Sequence, residues 1–170
     1  MLLILPFLST LTLVLATPHP YPPTPLPWHQ TTHIIAFGDS YTYIQGLHGR
    51  QNYSFIGDQQ NFSFNASTLL SNRIVQNQTA TAEGGPNWLE FLTGCGVRRG
   101  LTDPRKCTRQ LWDFAFADAD ISAEYAETPL HHEFTVSFVR QVEQFRLYGS
   151  PVLGGYRGEG GDFGGGVDWD

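Results

Sequence analysis

His33-Ile34-Ile35-Ala36-Phe37-Gly38-Asp39-Ser40-Tyr41-Thr42 opens with a short apolar run that Gly38 ends. Such a run, bounded by a turn signal, fits a buried strand of an α/β sheet better than an amphipathic helix. Asp39 and Ser40 then suit a turn and a helix N-cap. Acyl transfer by serine needs a hydroxyl exposed at the end of a strand, beside backbone N–H groups that can hold an oxyanion. Phe37-Gly38-Asp39-Ser40 has that layout. Gly-Asp-Ser alone is a weak signal, because turns are rich in these residues. The α/β-hydrolase elbow Gly-x-Ser-x-Gly is not matched, since position 42 is Thr.

Outward from this strand, residues Gln51 to Ala82 are polar and weakly periodic, so they read as loops with a short helix around Thr68 to Val75. A firmer helix is expected over Pro86 to Thr93, with Pro86 in its first turn, Trp88, Phe91 and Leu92 on one face and Gly94 as terminator. Leu111 to Ala117 reads as a second buried strand, rich in aromatics. Phe134 to Tyr148 reads as a second amphipathic helix: Phe134, Phe138, Val142 and Phe145 face inward, Arg140, Glu143 and Gln144 face away, and Gly149 stops it. Strand, helix, strand, helix predicts an α/β domain with a parallel sheet flanked by helices.

The first sixteen residues, Met1 to Ala16, carry no charged side chain and end Val14-Leu15-Ala16, the pattern of a cleaved secretory signal. A spanning helix needs roughly 20 apolar residues, and Pro6, Ser9 and Thr10 already interrupt a shorter stretch, so no membrane association is expected after cleavage. Residues 17–31 form a leader with prolines at 18, 20, 22, 23, 25 and 27, a density that favours extended polyproline geometry. Four of the six asparagines, Asn52, Asn61, Asn65 and Asn77, sit in Asn-x-Ser/Thr sequons, which matter only in a chain that enters the secretory lumen. A secreted, extracellular glycoprotein is therefore expected.

Cys95 and Cys107 are the only cysteines. In an oxidising compartment two thiols enclosing a short loop form a disulfide more often than they stay free, a closure worth about 3 kcal/mol in the chain-entropy account. A metal site is the weaker reading, because neither has a Cys-x-x-Cys partner. The net charge of −6, with scattered basic residues, argues against nucleic acid as a partner. The final stretch, Ser150 to Asp170, holds eight glycines and no period, so a disordered or non-native tail is expected, and its Asp162, Asp168 and Asp170 lack the spacing of a calcium loop.

The quoted segments together resemble the SGNH (GDSL) hydrolases, and among them the fungal-type acetylesterases of carbohydrate esterase family 16. The resemblance runs from about Thr32 to Gly149. Ile35 to Thr42 is similar to the first block, which implies Ser40 as nucleophile and as one oxyanion N–H, supported by Gly38 and Asp39. Gly84-Gly-Pro-Asn-Trp-Leu-Glu-Phe-Leu92 is similar to the family's Gly-Pro-x-Trp helix start. Trp112-Asp-Phe-Ala-Phe-Ala-Asp-Ala119 resembles the second block, and the Cys95 to Cys107 interval fits secreted members. By this resemblance the fold is a three-layer, flavodoxin-like α/β sandwich over 32–149. The substrate is a small ester or acetylated carbohydrate, and no cofactor and no metal are needed.

Two departures stand against it. Asp118 occupies the place where the family has Gly as a further oxyanion donor, and a carboxylate beside developing negative charge is electrostatically unfavourable. The family's Gly-x-Asn-Asp and Asp-x-x-His blocks occur nowhere in these residues; Gly85-Pro86-Asn87 is followed by Trp88. The expectation is a domain incomplete at its C-terminus and impaired in turnover, because a serine without a general base is a poor nucleophile. His131-His132 read as solvent-exposed residues at a helix start, and His48 as a distant second candidate base. Trp88, Trp112 and the phenylalanines read as core rather than sugar platforms. The remaining alternatives are an inactive family member and a secreted, non-catalytic, carbohydrate-binding glycoprotein.

Overall fold

The computed structural model describes residues 27–57, 66–76, 81–82, 84–122, 124 and 132–153. The expected signal, most of the Pro-rich leader, Asn61, Asn65, Asn77, His131 and the Gly-rich residues from 154 onward lie outside them. The chain divides into two units, Met1–Gln30 and Thr31–Asp170. In the first, Trp28–Gln30 make a single 3₁₀ turn closed by the Gln30 N–H on the Pro27 carbonyl.

The second unit is mixed α/β. Strand β1, His33–Ala36, pairs in parallel with β2, Gln110–Asp113, in the register His33 to Gln110 through Ala36 to Asp113. The connection between parallel strands needs a long crossover, and it holds helices α1, Ala66–Ser71, and α2, Trp88–Thr93. The expected strand from Leu111 to Ala117 is shorter as a ladder, but all seven residues are buried. Phe114 N–H donates to the Ala36 carbonyl and Phe116 N–H to the Gly38 carbonyl, so the two segments stay tied as far as the turn after β1.

Helix α2 starts at Trp88 rather than Pro86, because Asn87 is its N-cap: the Asn87 side chain accepts from Leu89 and Glu90 N–H, and Glu90 returns a bond to Asn87 N–H. This reciprocal box turns Glu90 inward. The Asn87 amide also donates to the Thr42 and Tyr43 carbonyls, which fixes the rotation of the helix. Leu89, Glu90 and Thr93 are therefore buried, while Trp88, Phe91 and Leu92, expected on the inner face, are exposed; Trp88 is 54% accessible. Gly94 ends the helix at φ 77°, a left-handed cap that glycine adopts freely.

Helix α3, Phe138–Gln144, begins four residues later than the apolar periodicity suggested. Its inner face is polar: Gln141 and Gln144 are buried, whereas Phe138 and Val142 are exposed, the reverse of the expected arrangement. Gln144 donates to the Gly57 carbonyl, so its burial is compensated by a hydrogen bond. Arg140 and Glu143 pair at the surface as expected. Gly149 does not stop the chain; a wide turn, Phe145–Gly149, leads into α4, Ser150–Leu153, so the first residues of the expected tail are helical. A Cβ at Gly149 would lie 2.7 Å from the Phe114 ring, so glycine here serves close packing.

The core centres on Trp112, Phe55, Phe114, Ile44, Leu69 and Leu111, each at most 2% exposed. Burying side chains of this size contributes about 1.5–3 kcal/mol apiece. Phe37, Phe114 and Phe145 form a ring cluster with centroids 5.5–5.8 Å apart, which joins β1, the end of β2 and the α3–α4 turn. Cys95 and Cys107 are joined in a disulfide that closes the loop after α2. No helix among the described residues is long and apolar enough to cross a membrane.

Candidate active site

Ser40 stands in the turn that β1 feeds. Asp39 shapes that turn: its carboxylate accepts the Tyr41 N–H at 3.0 Å and its carbonyl accepts the N–H groups of Thr42 and Tyr43. Gly38 precedes it at φ 151°, and a Cβ there would lie 2.9 Å from Thr42 Oγ1, so the turn needs glycine. The peptide of Gly38 is gripped on both sides by Gln141, whose Oε1 accepts Gly38 N–H and whose Nε2 donates to the Gly38 carbonyl, both at 2.8 Å. Gln141 also donates to the Val136 carbonyl at 3.0 Å.

The segment after Ser40 is held as firmly. Asp113, at the end of β2, accepts Ile44 N–H and Ala115 N–H, both at 2.8 Å. Complete burial pushes its carboxyl well above the usual carboxylate range, against the pull of those two bonds, and the nearby Glu90 carboxylate pushes the same way. On the other side the Asn87 amide holds the Thr42 and Tyr43 carbonyls. These long-range polar ties, absent from any local sequence pattern, hold the half-buried Ser40 on a fixed backbone.

Across from Ser40 lies Asp118, in the turn that follows the buried run 111–117. Its φ of 63° is left-handed, a conformation that Asp and Asn tolerate better than most side chains. Its backbone N–H donates to Ser40 Oγ at 3.1 Å, and the Ser40 hydroxyl donates back to Asp118 Oδ1 at 3.4 Å. The carboxylate therefore faces the serine.

The other carboxylate oxygen, Oδ2, lies 3.8 Å from His132 Nε2. His132 was read as a solvated residue at a helix start; its side chain is 40% exposed, but it is part of a built cluster. Its Nε2 hydrogen-bonds Tyr53 Oη at 3.1 Å, and its ring stacks on Phe134 at 4.7 Å with planes 11° apart. The Arg50 guanidinium lies 3.3 Å from the Phe134 ring centre. Thr135 fixes the backbone there, its Oγ1 accepting His132 N–H and its own N–H donating to the His132 carbonyl. His48 is placed otherwise, against Ser71 of α1 at 3.1 Å.

Beside the serine turn is a cavity of about 300 Å³, lined by Gly38, Asp39, Thr42, Asp120, Ile121 and Phe138 among others. That volume is at the small end of ligand sites. Among the described residues, no cluster of three or more His, Cys, Asp or Glu side chains is placed to hold a metal ion. Asn52 is exposed at a left-handed position, φ 65°, with its N–H on Gln45 Oε1.

The structure thus brings Ser40, Gly38, Asp39 and Asp118 together. It adds His132, Tyr53 and Gln141, which the sequence reading had set aside or missed. No protein family, no curated protein and no solved structure matches this chain.

Proposed function

We propose that this chain is a secreted serine ester hydrolase of the SGNH type, acting on small acyl or acetyl esters, with acetylated carbohydrate as the substrate class. The observation that carries the reading is the pairing of Ser40 Oγ with the Asp118 N–H at 3.1 Å, across a left-handed turn. An acyl carbonyl attacked by Ser40 would place its oxygen among the Ser40 and Asp118 N–H groups. The resemblance assigns glycine to position 118, and a left-handed backbone there is the geometry glycine fills. The parallel β1–β2 pair with helices in its crossover is compatible with the proposed three-layer sandwich. The small cavity beside the turn suits an acetyl group or one sugar ring.

The test is hydrolysis of 4-nitrophenyl acetate and of acetylated xylan by the purified chain, with Ser40→Ala as the control. Turnover lost in Ser40→Ala supports the reading; equal rates for both proteins remove Ser40 from the mechanism.

A second reading, a family member that binds its ester without turning it over, is favoured by one observation. Among the described residues, the Ser40 hydroxyl is hydrogen-bonded to Asp118 and to no histidine.

A further inference from the structure

Resting on the esterase reading, we infer that Asp118 is the proton acceptor for Ser40, and that His132 is a positioning residue governing the charge on that carboxylate. Three distances carry this. Ser40 Oγ donates to Asp118 Oδ1 at 3.4 Å, Asp118 Oδ2 faces His132 Nε2 at 3.8 Å, and His132 Nε2 is bonded to Tyr53 Oη at 3.1 Å. The imidazole is held in place by Phe134 and Tyr53 rather than swinging free in solvent. A carboxylate this close to a hydroxyl proton is a candidate general base, and such bonds are often long in a ligand-free site and tighten when substrate binds.

In the first half-reaction the proton of Ser40 passes to Asp118 Oδ1 as Oγ bonds to the acyl carbon. The intermediate collapses, the bond from acyl carbon to the alcohol oxygen breaks, and Asp118 returns the proton to that oxygen. Water then attacks the acyl-serine, giving its proton to Asp118. Cleavage of the Oγ–acyl bond releases the carboxylic acid, and Asp118 reprotonates Oγ. The same transfer disposes of the electrostatic objection to an aspartate here. When negative charge develops on the carbonyl oxygen, Asp118 already carries the proton and is neutral, so its N–H donates with no anion beside it.

A protonated His132 pairs with the carboxylate and makes it a weaker base, whereas neutral imidazole leaves it free. Among the described residues, the other titratable groups near the pair include Tyr53, which touches the ring, and Arg50, which lies over Phe134. Asp39, Asp120 and Glu133 are charged chain neighbours.

The experiment compares the full chain with Ser40→Ala, Asp118→Asn, Asp118→Gly and His132→Gln on 4-nitrophenyl acetate across pH, with thermal unfolding as a check on folding. Asparagine tolerates the left-handed turn but cannot take the proton. Ser40-dependent kcat is expected to fall about 10²–10⁴-fold in Asp118→Asn and in Asp118→Gly, with KM little changed. His132→Gln is expected to lose less rate than the Asp118 variants but to change the shape of the acid limb of the pH profile, removing the step that protonation of the imidazole adds. Ser40-dependent turnover that persists at the wild-type level in both Asp118 variants overturns the assignment while leaving the esterase reading intact. An unchanged pH profile in His132→Gln overturns the role of that residue. No Ser40-dependent hydrolysis in the wild-type chain overturns the esterase reading and this inference with it.

Discussion

Gln141 and Gly38 share two hydrogen bonds, the carboxamide of one closing on the N–H and C=O of the other at 2.8 Å, although 103 residues separate them. Replacing Gln141 with Leu removes the acceptor of the Gly38 N–H and a donor to the Val136 carbonyl, while the Gly38 carbonyl keeps the Phe116 N–H. The expected cost is about 2–4 kcal/mol in urea unfolding, since each buried group left unpaired costs on the order of 1–3 kcal/mol. Because Gly38 sets the path into Ser40, Ser40-dependent turnover is also expected to fall, on the order of 100-fold. A Gln141→Leu protein as stable as the wild type would show that water replaces the clamp.

The left-handed turn at Asp118 can be tested apart from catalysis. At φ 63° a Cβ carries a steric cost that glycine lacks. Asp118→Ala is therefore expected to be less stable than Asp118→Gly by about 1 kcal/mol. Equal melting temperatures would mean that the turn relaxes.

Cys95 and Cys107 close a loop with a sequence separation of 12. Cys95→Ser/Cys107→Ser is expected to lose about 3 kcal/mol relative to the oxidised protein. Reduction of the wild type should reproduce that loss, as read by urea midpoints with and without a thiol reductant.

Two buried aspartates should give opposite pH dependences. At Asp103 burial acts upward, but hydrogen bonds from Arg105 and the charges of Arg73 and Arg105 outweigh it and hold the carboxyl below the usual range. Its contribution to stability is present above the unfolded carboxylate value, about 3.9, and is lost as pH falls through the folded one. Asp103→Asn is then expected to cost about 1–2 kcal/mol at neutral pH and less at pH 3. Asp113 is raised, so its contribution is present below the unfolded value and is lost as pH rises toward the folded one. Asp113→Asn should therefore cost less at neutral pH than at pH 3. Urea unfolding of both variants from pH 3 to pH 8 decides this; parallel pH dependences would contradict it.

The features legible in the sequence were those set by neighbours in the chain. The strand at His33–Ala36 follows from an apolar run closed by glycine, the α2 terminus from Gly94, and the cysteine pair from its isolation. The features that were not legible depend on partners far along the chain. Gln141 faces inward because Gly38 offers it a peptide, and Gln144 because Gly57 does; periodicity counts only polarity, so it turned Gln144 outward and gave no sign of Gln141. Trp88 and Phe91 were placed inward by the same counting, whereas the Asn87 amide, bonded to the Thr42 and Tyr43 carbonyls, rotates α2 the other way. The Ser40–Asp118–His132 cluster spans 78 residues from serine to aspartate, and no spacing rule links such positions.

The left-handed turn at position 118 acts as a filter on residue type. Glycine enters freely, aspartate and asparagine at modest cost, and β-branched side chains only with strain. Aspartate codons lie a single base change from glycine codons. Heritable variation at this one position can therefore switch the charge beside Ser40 on or off while the backbone keeps its course, leaving the chemistry of the site free to drift on a fixed scaffold.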